Sequence, residues 1–335
     1  MRALTVARSH PQHEFLFVSH GGPAHMLGKE FEVFECPDMV TPVSRHRVQL
    51  MSVLSRNIPT LAAAGYWGRE VRRLAERFKP DVALTDLELF VPWVARTMGL
   101  PTLSVGNDHM ATLGRVDCPP SELLNWAGTA LSSRVLFSAP AQYLIPCFYD
   151  VPLRRASAIA RRVPPLLRNE VAEMQPTTGD HVVAYQGHQT APHFVDVLEG
   201  LDRPVHLYGL ENAPPRGRLS FRQFDERAFL EDLASCAYVI CGASHTLISE
   251  ALHLGKPVLG IPVAGMFEQL LNAHYLERCG YGMRTSMRRF SVAEVNSFEQ
   301  QLDTCRSHIG EGRFNGNATA FAALDDFIAG RWRAG

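Results

Sequence analysis

The sequence predicts an α/β protein made of two doubly wound parallel-sheet domains. Short apolar runs without alternation recur along it, as strands covered on both faces require. Helical stretches separate these runs at the spacing of parallel crossovers. The 335 residues exceed one ordinary core and suit two domains of about 150 residues each.

In the first half, Glu14–Ser19 (EFLFVS) reads as a short buried strand followed by His20-Gly21-Gly22, and Phe31–Glu35 (FEVFE) as a second strand. A long helical region runs from about Gln49 to Phe78. Lys79-Pro80-Asp81 leads into a strand at Val82–Thr85 that ends at Asp86. The helix near Phe90–Met98 stops at Gly99-Leu100-Pro101, and Thr102–Val105 is the next strand, followed by Asn107-Asp108-His109.

A boundary falls near Arg161–Arg168 (RRVPPLLR), before the polar stretch Gln175–Asp180. Strands then restart at His181–Tyr185, followed by Gln186-Gly187-His188, and continue at Val205–Tyr208, Ala237–Cys241 and Val258–Ile261. The predicted domains are 1–165 and 166–317, with a terminal helical segment in 318–335.

Chemistry concentrates in Cys241–Met283. The strand ending at Cys241 runs into Gly242-Ala243-Ser244, small residues that let backbone approach a ligand. A helix opening near Thr246 places its free N–H groups and macrodipole where an anion can sit. Glu250 lies one turn into that helix, where a carboxylate can accept both hydroxyls of a ribose. Leu254-Gly255-Lys256-Pro257 ends the helix with Gly at C′ and Pro beyond. Val258–Ile261 is a buried strand stopped by Pro262, and Glu268-Gln269 follows on a loop or helix start at the carboxyl edge of the sheet, where open α/β sheets bind ligands.

Composition removes other classes. With 33 basic and 34 acidic residues, nothing advertises nucleic acid or an anionic bilayer. Seven cysteines in an odd set without metal-ligand spacing fit buried thiols of a reducing cytoplasm. No His-Glu-x-x-His or comparable metal cluster, signal peptide or long apolar run is present, so membrane contact is expected to be peripheral at most.

The ordered set Ser249-Glu250-Ala251, Gly255-Lys256-Pro257, Ile261-Pro262, Glu268-Gln269 and Asn272-Ala273 resembles the donor-binding signature of the GT-B glycosyltransferases. The similar branch holds the UDP-glycosyltransferases and the peptidoglycan N-acetylglucosaminyltransferase (glycosyltransferase family 28-like). The resemblance implies two Rossmann-like domains facing across a cleft, with the last helix, here Ala318–Arg331, crossing back onto the first. It also implies transfer of a sugar from a nucleotide donor, expected to be a UDP-sugar, to an acceptor hydroxyl, with no cofactor and no bound metal. The missing Asp-x-Asp motif agrees with the last point. By the same resemblance Glu250 holds the donor ribose, while Gly242, Ala243, Ser244, His245 and Thr246 lie along the diphosphate. Glu268 and Gln269 contact the donor sugar, Asn272 supports that loop or a phosphate, and Gly187 neighbours the diphosphate or is a turn glycine.

Two departures stand out. The family begins with a strand and a glycine-rich loop, followed by a helix like Arg2-Ala3-Leu4-Thr5-Val6-Ala7-Arg8, which here comes at once. The expectation is a chain that starts late, or else a rebuilt first domain. Ala243-Ser244 also stands where relatives carry a Gly-Gly pair, and a positive φ there would be strained. Without the loop, base candidates in the first domain are His20, Asp86, Asp108 and His109. Histidine suits that role near neutral pH, and His109 with Asp108 forms the favoured pair.

Alternatives are a sugar-nucleotide epimerase of the same fold and a non-catalytic nucleotide-sugar binder. An oxidoreductase is more distant, since no Gly-x-Gly-x-x-Gly follows a strand. The acceptor, lipid-linked or a small molecule, is open. Gly114–Val135 with Leu123, Leu124 and Trp126 either lines an acceptor cleft or is core. Arg154, Arg155, Arg161, Arg162 and Arg168 form either a solvated helix face or a patch for anionic groups.

Overall fold

The computed structural model describes residues 1–136, 142–154, 159–187, 192–210 and 213–332. Arg155 and His188 lie outside the described residues. The strands in chain order are β1 (Leu16–Ser19), β2 (Glu32–Glu35), β3 (Val43–Ser44), β4 (Arg47–Val48), β5 (Ala83–Thr85), β6 (Thr102–Val105), β7 (Gln142–Pro146) and β8 (Ala160–Val163). They continue with β9 (Val182–Tyr185), β10 (Val205–Tyr208), β11 (Leu219–Arg222), β12 (Tyr238–Cys241), β13 (Val258–Gly260) and β14 (Gly282–Arg284). The chain divides into two compact units. One comprises Met1–Pro42, Gln49–Arg168 and Gly316–Gly335, the other Val43–Val48 and Asn169–Asn315.

The second unit holds a six-stranded parallel sheet in the order β11-β10-β9-β12-β13-β14. Counted from β9 this is the doubly wound order 3-2-1-4-5-6, and the progression of strand order reverses between β9 and β12 while the strands stay parallel. The central strands are apolar because helices cover both faces: Val182, Val183, Val239, Ile240, Val258 and Leu259 are fully buried. Gly282 at the edge is dictated by pairing, since a Cβ there would lie 1.9 Å from Val258 O. The hairpin β3–β4 also belongs to this unit, although neighbouring chain on both sides belongs to the other.

In the first unit, β5-β6-β7-β8 form a parallel sheet and β1-β2 a separate parallel pair. Leu103, Val105, Leu144 and Val163 pack with Val6 and with Ala320, Ala323, Leu324 and Phe327 of the helix Asn317–Ile328. Asn317 pins that helix: its Nδ2 donates to Leu167 O and its Oδ1 accepts from Leu167 N, both at 2.9 Å. No helix among the described residues is long and apolar enough to cross a membrane.

The helical region expected over Gln49–Phe78 comprises two helices, Leu50–Ala62 and Ala64–Phe78, which meet at Ala63. Other expectations need correction. Arg161 and Arg162 lie in β8 rather than on a helix face, because their backbone completes the ladder to β7. Leu124 is 90% exposed, so the helix Leu123–Leu136 does not bury it as core.

Candidate functional site

The β12 turn gathers the residues expected at the donor. Tyr185, Cys241 and Gly260 stand side by side in the register of β9, β12 and β13, so the loops that follow them emerge together. Ala243 takes the left-handed conformation at φ 59°, the strained geometry that glycine would relieve. Its carbonyl is held by Asn272 Nδ2 at 3.2 Å, which is how an alanine is kept there. Asn272 Nδ2 also reaches Glu268 Oε1 at 3.4 Å, and Gln269 Oε1 accepts from Val263 N at 3.0 Å. A Cβ on Gly242 would meet Gln269 Oε1 at 3.8 Å, so the first residues of the helix Phe267–Arg278 lie against the β12 turn.

The helix His245–His253 starts at Ser244, whose hydroxyl makes no capping bond. Asp225 and Ser291, by contrast, cap their helices through their side chains. Ser244 and Thr246 are partly exposed and His245 is buried, with Nδ1 3.5 Å from Ser249 Oγ. Glu250 is only 1% exposed, an uncommon position for a carboxylate without a structural or binding duty. Asn272 is fully buried and its Oδ1 makes no hydrogen bond among the described residues. That atom can accept from a hydroxyl but not from a phosphate oxygen, which fits a sugar better than a diphosphate.

Gln186 and Gly187 follow β9 at the same edge. Gly209, after β10, lies so close that a Cβ would meet Gln186 O at 2.4 Å, and its φ is 96°. Neither Gln186 nor Gly209 was signalled as part of the site. The largest surprise is His46, brought to this edge by the hairpin β3–β4. Its Nε2 lies 3.1 Å from Ile261 O and 3.0 Å from Pro262 O, and its Nδ1 lies 3.0 Å from Gln186 Nε2. Burial lowers its pKa, against the two carbonyls. Nε2 therefore carries the proton and Nδ1 accepts. No motif marks this residue in the sequence.

Lys256 of the Gly-Lys-Pro segment turns inward. Its Nζ donates to Thr177 O and to Cys236 O, the latter at 2.9 Å, tying Gln175–Asp180 to the end of the helix Glu226–Ser235. Burial lowers its pKa.

In the first unit Arg2 organises several base candidates. It grips Asp86 in a bidentate pair at 3.1 and 2.6 Å, donates to Asn107 Oδ1 at 2.8 Å and lies 3.9 Å from Asp108. His109 is buried, with Nε2 2.6 Å from Ser104 Oγ and its ring edge-on to Tyr143. Burial pulls its pKa down to about 4, with the Asp108 and Asp86 charges opposing. His20 differs: its side chain is 44% exposed and its Nδ1 lies 3.4 Å from Asp38 Oδ2. Burial raises the pKa of Asp38, while the Met39 N–H and His20 work the other way.

Two Rossmann-like units define the GT-B class, and comparison with known proteins agrees. Solved structures similar across nearly the whole chain include LpCGTa in complex with UDP (16% identical, TM-score 0.65, covering 97% of this chain and 95% of that one). Others are the calicheamicin glycosyltransferase (13%, TM-score 0.63, 98% and 94%) and MurG of Acinetobacter baumannii (14%, TM-score 0.59, 98% and 95%). An uncharacterised glycosyltransferase of Methanosarcina mazei is 25% identical over 301 residues, 82% of this chain and 78% of the relative. One of Methanosarcina acetivorans is 27% identical over 262 residues, 70% of this chain and 65% of the relative. The model for glycosyl transferase family 1 matches residues 2–303, and the chain belongs to that family. It is a glycosyltransferase.

Proposed function

We propose that this glycosyltransferase moves a sugar from a UDP-linked donor, held on the carboxyl edge of its second unit, to an acceptor hydroxyl. The observation that carries the reading is the convergence of Gly242, Ala243, Glu268, Gln269 and Asn272 around the β12 turn. The neighbour solved with UDP supports the choice of nucleotide. In this scheme the start of the helix His245–His253 stabilises the diphosphate as it leaves, through backbone N–H groups and the helix dipole. Such stabilisation asks for no resident cofactor or metal. Glu250 takes the ribose hydroxyls, while Glu268, Gln269 and Asn272 take the sugar, with Gly187 beside the diphosphate.

The acceptor must lose a proton as the new bond forms. His20, half-exposed with Asp38 behind it, has the arrangement of a general base and its orienting carboxylate. His109 and Asp108 are placed in the scheme as supports of the first unit's sheet edge. The test is turnover of UDP-sugars in the presence and absence of candidate acceptors, following free UDP. Acceptor-dependent UDP release supports transfer. A rearranged sugar nucleotide with no UDP released would instead establish an isomerase.

A further inference from the structure

We infer that His46 is a positioning residue for the nucleotide-sugar donor, strapping together the two loops that flank the β12 turn. The inference rests on the donor assignment above and extends it to a residue from a distant part of the chain. In the sheet order, β12 lies between β9 and β13. Because Tyr185 and Gly260 both pair with Cys241, Gln186 and Ile261 emerge at the level of Gly242, one on each side. The His46 imidazole is bonded to both: to Gln186 through Nδ1, and to Ile261 and Pro262 through Nε2. One side chain thus spans the end of the strand that feeds Gly242-Ala243-Ser244.

The backbone makes the same attachment. Ala264 N donates to His46 O at 3.1 Å and Val48 N donates to Ala264 O at 2.9 Å. The whole hairpin is therefore docked on the loop that leads from β13 to the helix Phe267–Arg278, which carries Glu268, Gln269 and Asn272.

The turn itself is strained. Arg45 and His46, the two residues between β3 and β4, both have positive φ, at 49° and 57°. Two-residue hairpins meet that demand with Asn-Gly or Gly-Gly, and side chains as large as these are costly there. Such strain persists where surrounding contacts over-determine it, and it concentrates at functional sites. The contacts of the His46 side chain and carbonyl described above run to the donor edge. In this arrangement His46 fixes the separation of the Gln186-Gly187 and Ile261–Gly265 loops, and so the width available to the donor over Gly242. It touches neither the reacting atoms nor, in this scheme, the donor.

The experiment compares wild type, His46→Ala and His46→Gln by calorimetric titration with UDP, with thermal unfolding and amide hydrogen exchange on each. His46→Ala is expected to weaken UDP binding by roughly tenfold or more. It should also speed exchange in the loops after β9, β12 and β13, with the exchange of β9 and β12 themselves unchanged. His46→Gln retains a donor for the Ile261 and Pro262 carbonyls and should recover most of the affinity, whereas a third variant, His46→Leu, similar in bulk but without a donor, should not. UDP affinity within about twofold of wild type in folded His46→Ala overturns the positioning role and leaves the donor assignment standing. Folded wild type that binds no UDP overturns the donor assignment itself, and the positioning role with it.

Discussion

Replacing Glu88 by glutamine should change how the first unit's stability depends on pH. Glu88 accepts from the N–H groups of Phe90 and Val91 at the start of the helix Val91–Met98 and lies near Cys36. Burial raises its pKa from 4.5 to about 7, the two N–H groups oppose that, and the Asp38 charge adds to it. A carboxyl that holds its proton more tightly when folded than when unfolded costs stability as pH rises between the two values. The penalty is absent below the unfolded pKa, grows through the interval and is complete above about 7. The full shift corresponds to about 3 kcal/mol, most of which falls between pH 5 and pH 8. Glu88→Gln removes that titration and keeps an amide oxygen for one of the two N–H groups. The assay is urea unfolding followed by tryptophan fluorescence, because all four tryptophans (67, 93, 126 and 332) lie in the first unit. Trp67 packs on the same cluster as Leu89 and Phe90. Relative to wild type, the variant should gain about 2 kcal/mol on going from pH 5 to pH 8. An equal difference at both pH values would refute the account of a proton held on Glu88.

Ala243→Gly relieves a left-handed alanine but loses a buried methyl and adds unfolded-state freedom, so stability should change by less than about 1 kcal/mol, measured by calorimetric unfolding. Ala243→Val puts a branched side chain in the same conformation, beside Gly260, and should cost about 3 kcal/mol or more in that measurement. Lys256→Met strips two carbonyls of their donor and should destabilise the second unit by about 2–3 kcal/mol, seen as a lower unfolding temperature, while the first unit's tryptophan transition stays in place.

The stretch from Cys241 to Asn272 was legible because its order is local: buried strand, small-residue turn, helix, glycine stop, strand, helix. Each signal lies within a few residues of the next, and the structure brings Gly242, Ala243, Glu268, Gln269 and Asn272 into contact. The positive φ that the turn was expected to make costly is also found, on Ala243. His46 was illegible because its partners are 140 and 215 residues away and a Ser-Arg-His-Arg turn looks like surface. The Gly-Lys-Pro segment announced a helix end, but nothing local tells that the lysine ammonium turns inward to two carbonyls. Strand β8, with sequence ARRV, read as a basic linker because its charged residues are only partly buried while their backbone pairs with β7. His109 attracted attention by following a strand at the sheet's carboxyl end. Its burial against Ser104 and Tyr143 depends on β7, a strand that the sequence pattern did not reveal.

The central claim is a UDP-sugar site built around the helix His245–His253, and Glu250 is its most direct probe. Titration calorimetry with UDP should show binding by wild type and a loss of about 10- to 100-fold in Glu250→Gln, the worth of a charge-assisted pair of hydrogen bonds to ribose. Uridine should lose affinity in parallel, since the contact is to the ribose. UDP bound equally well by folded wild type and Glu250→Gln would contradict the assignment of this edge as the nucleotide site.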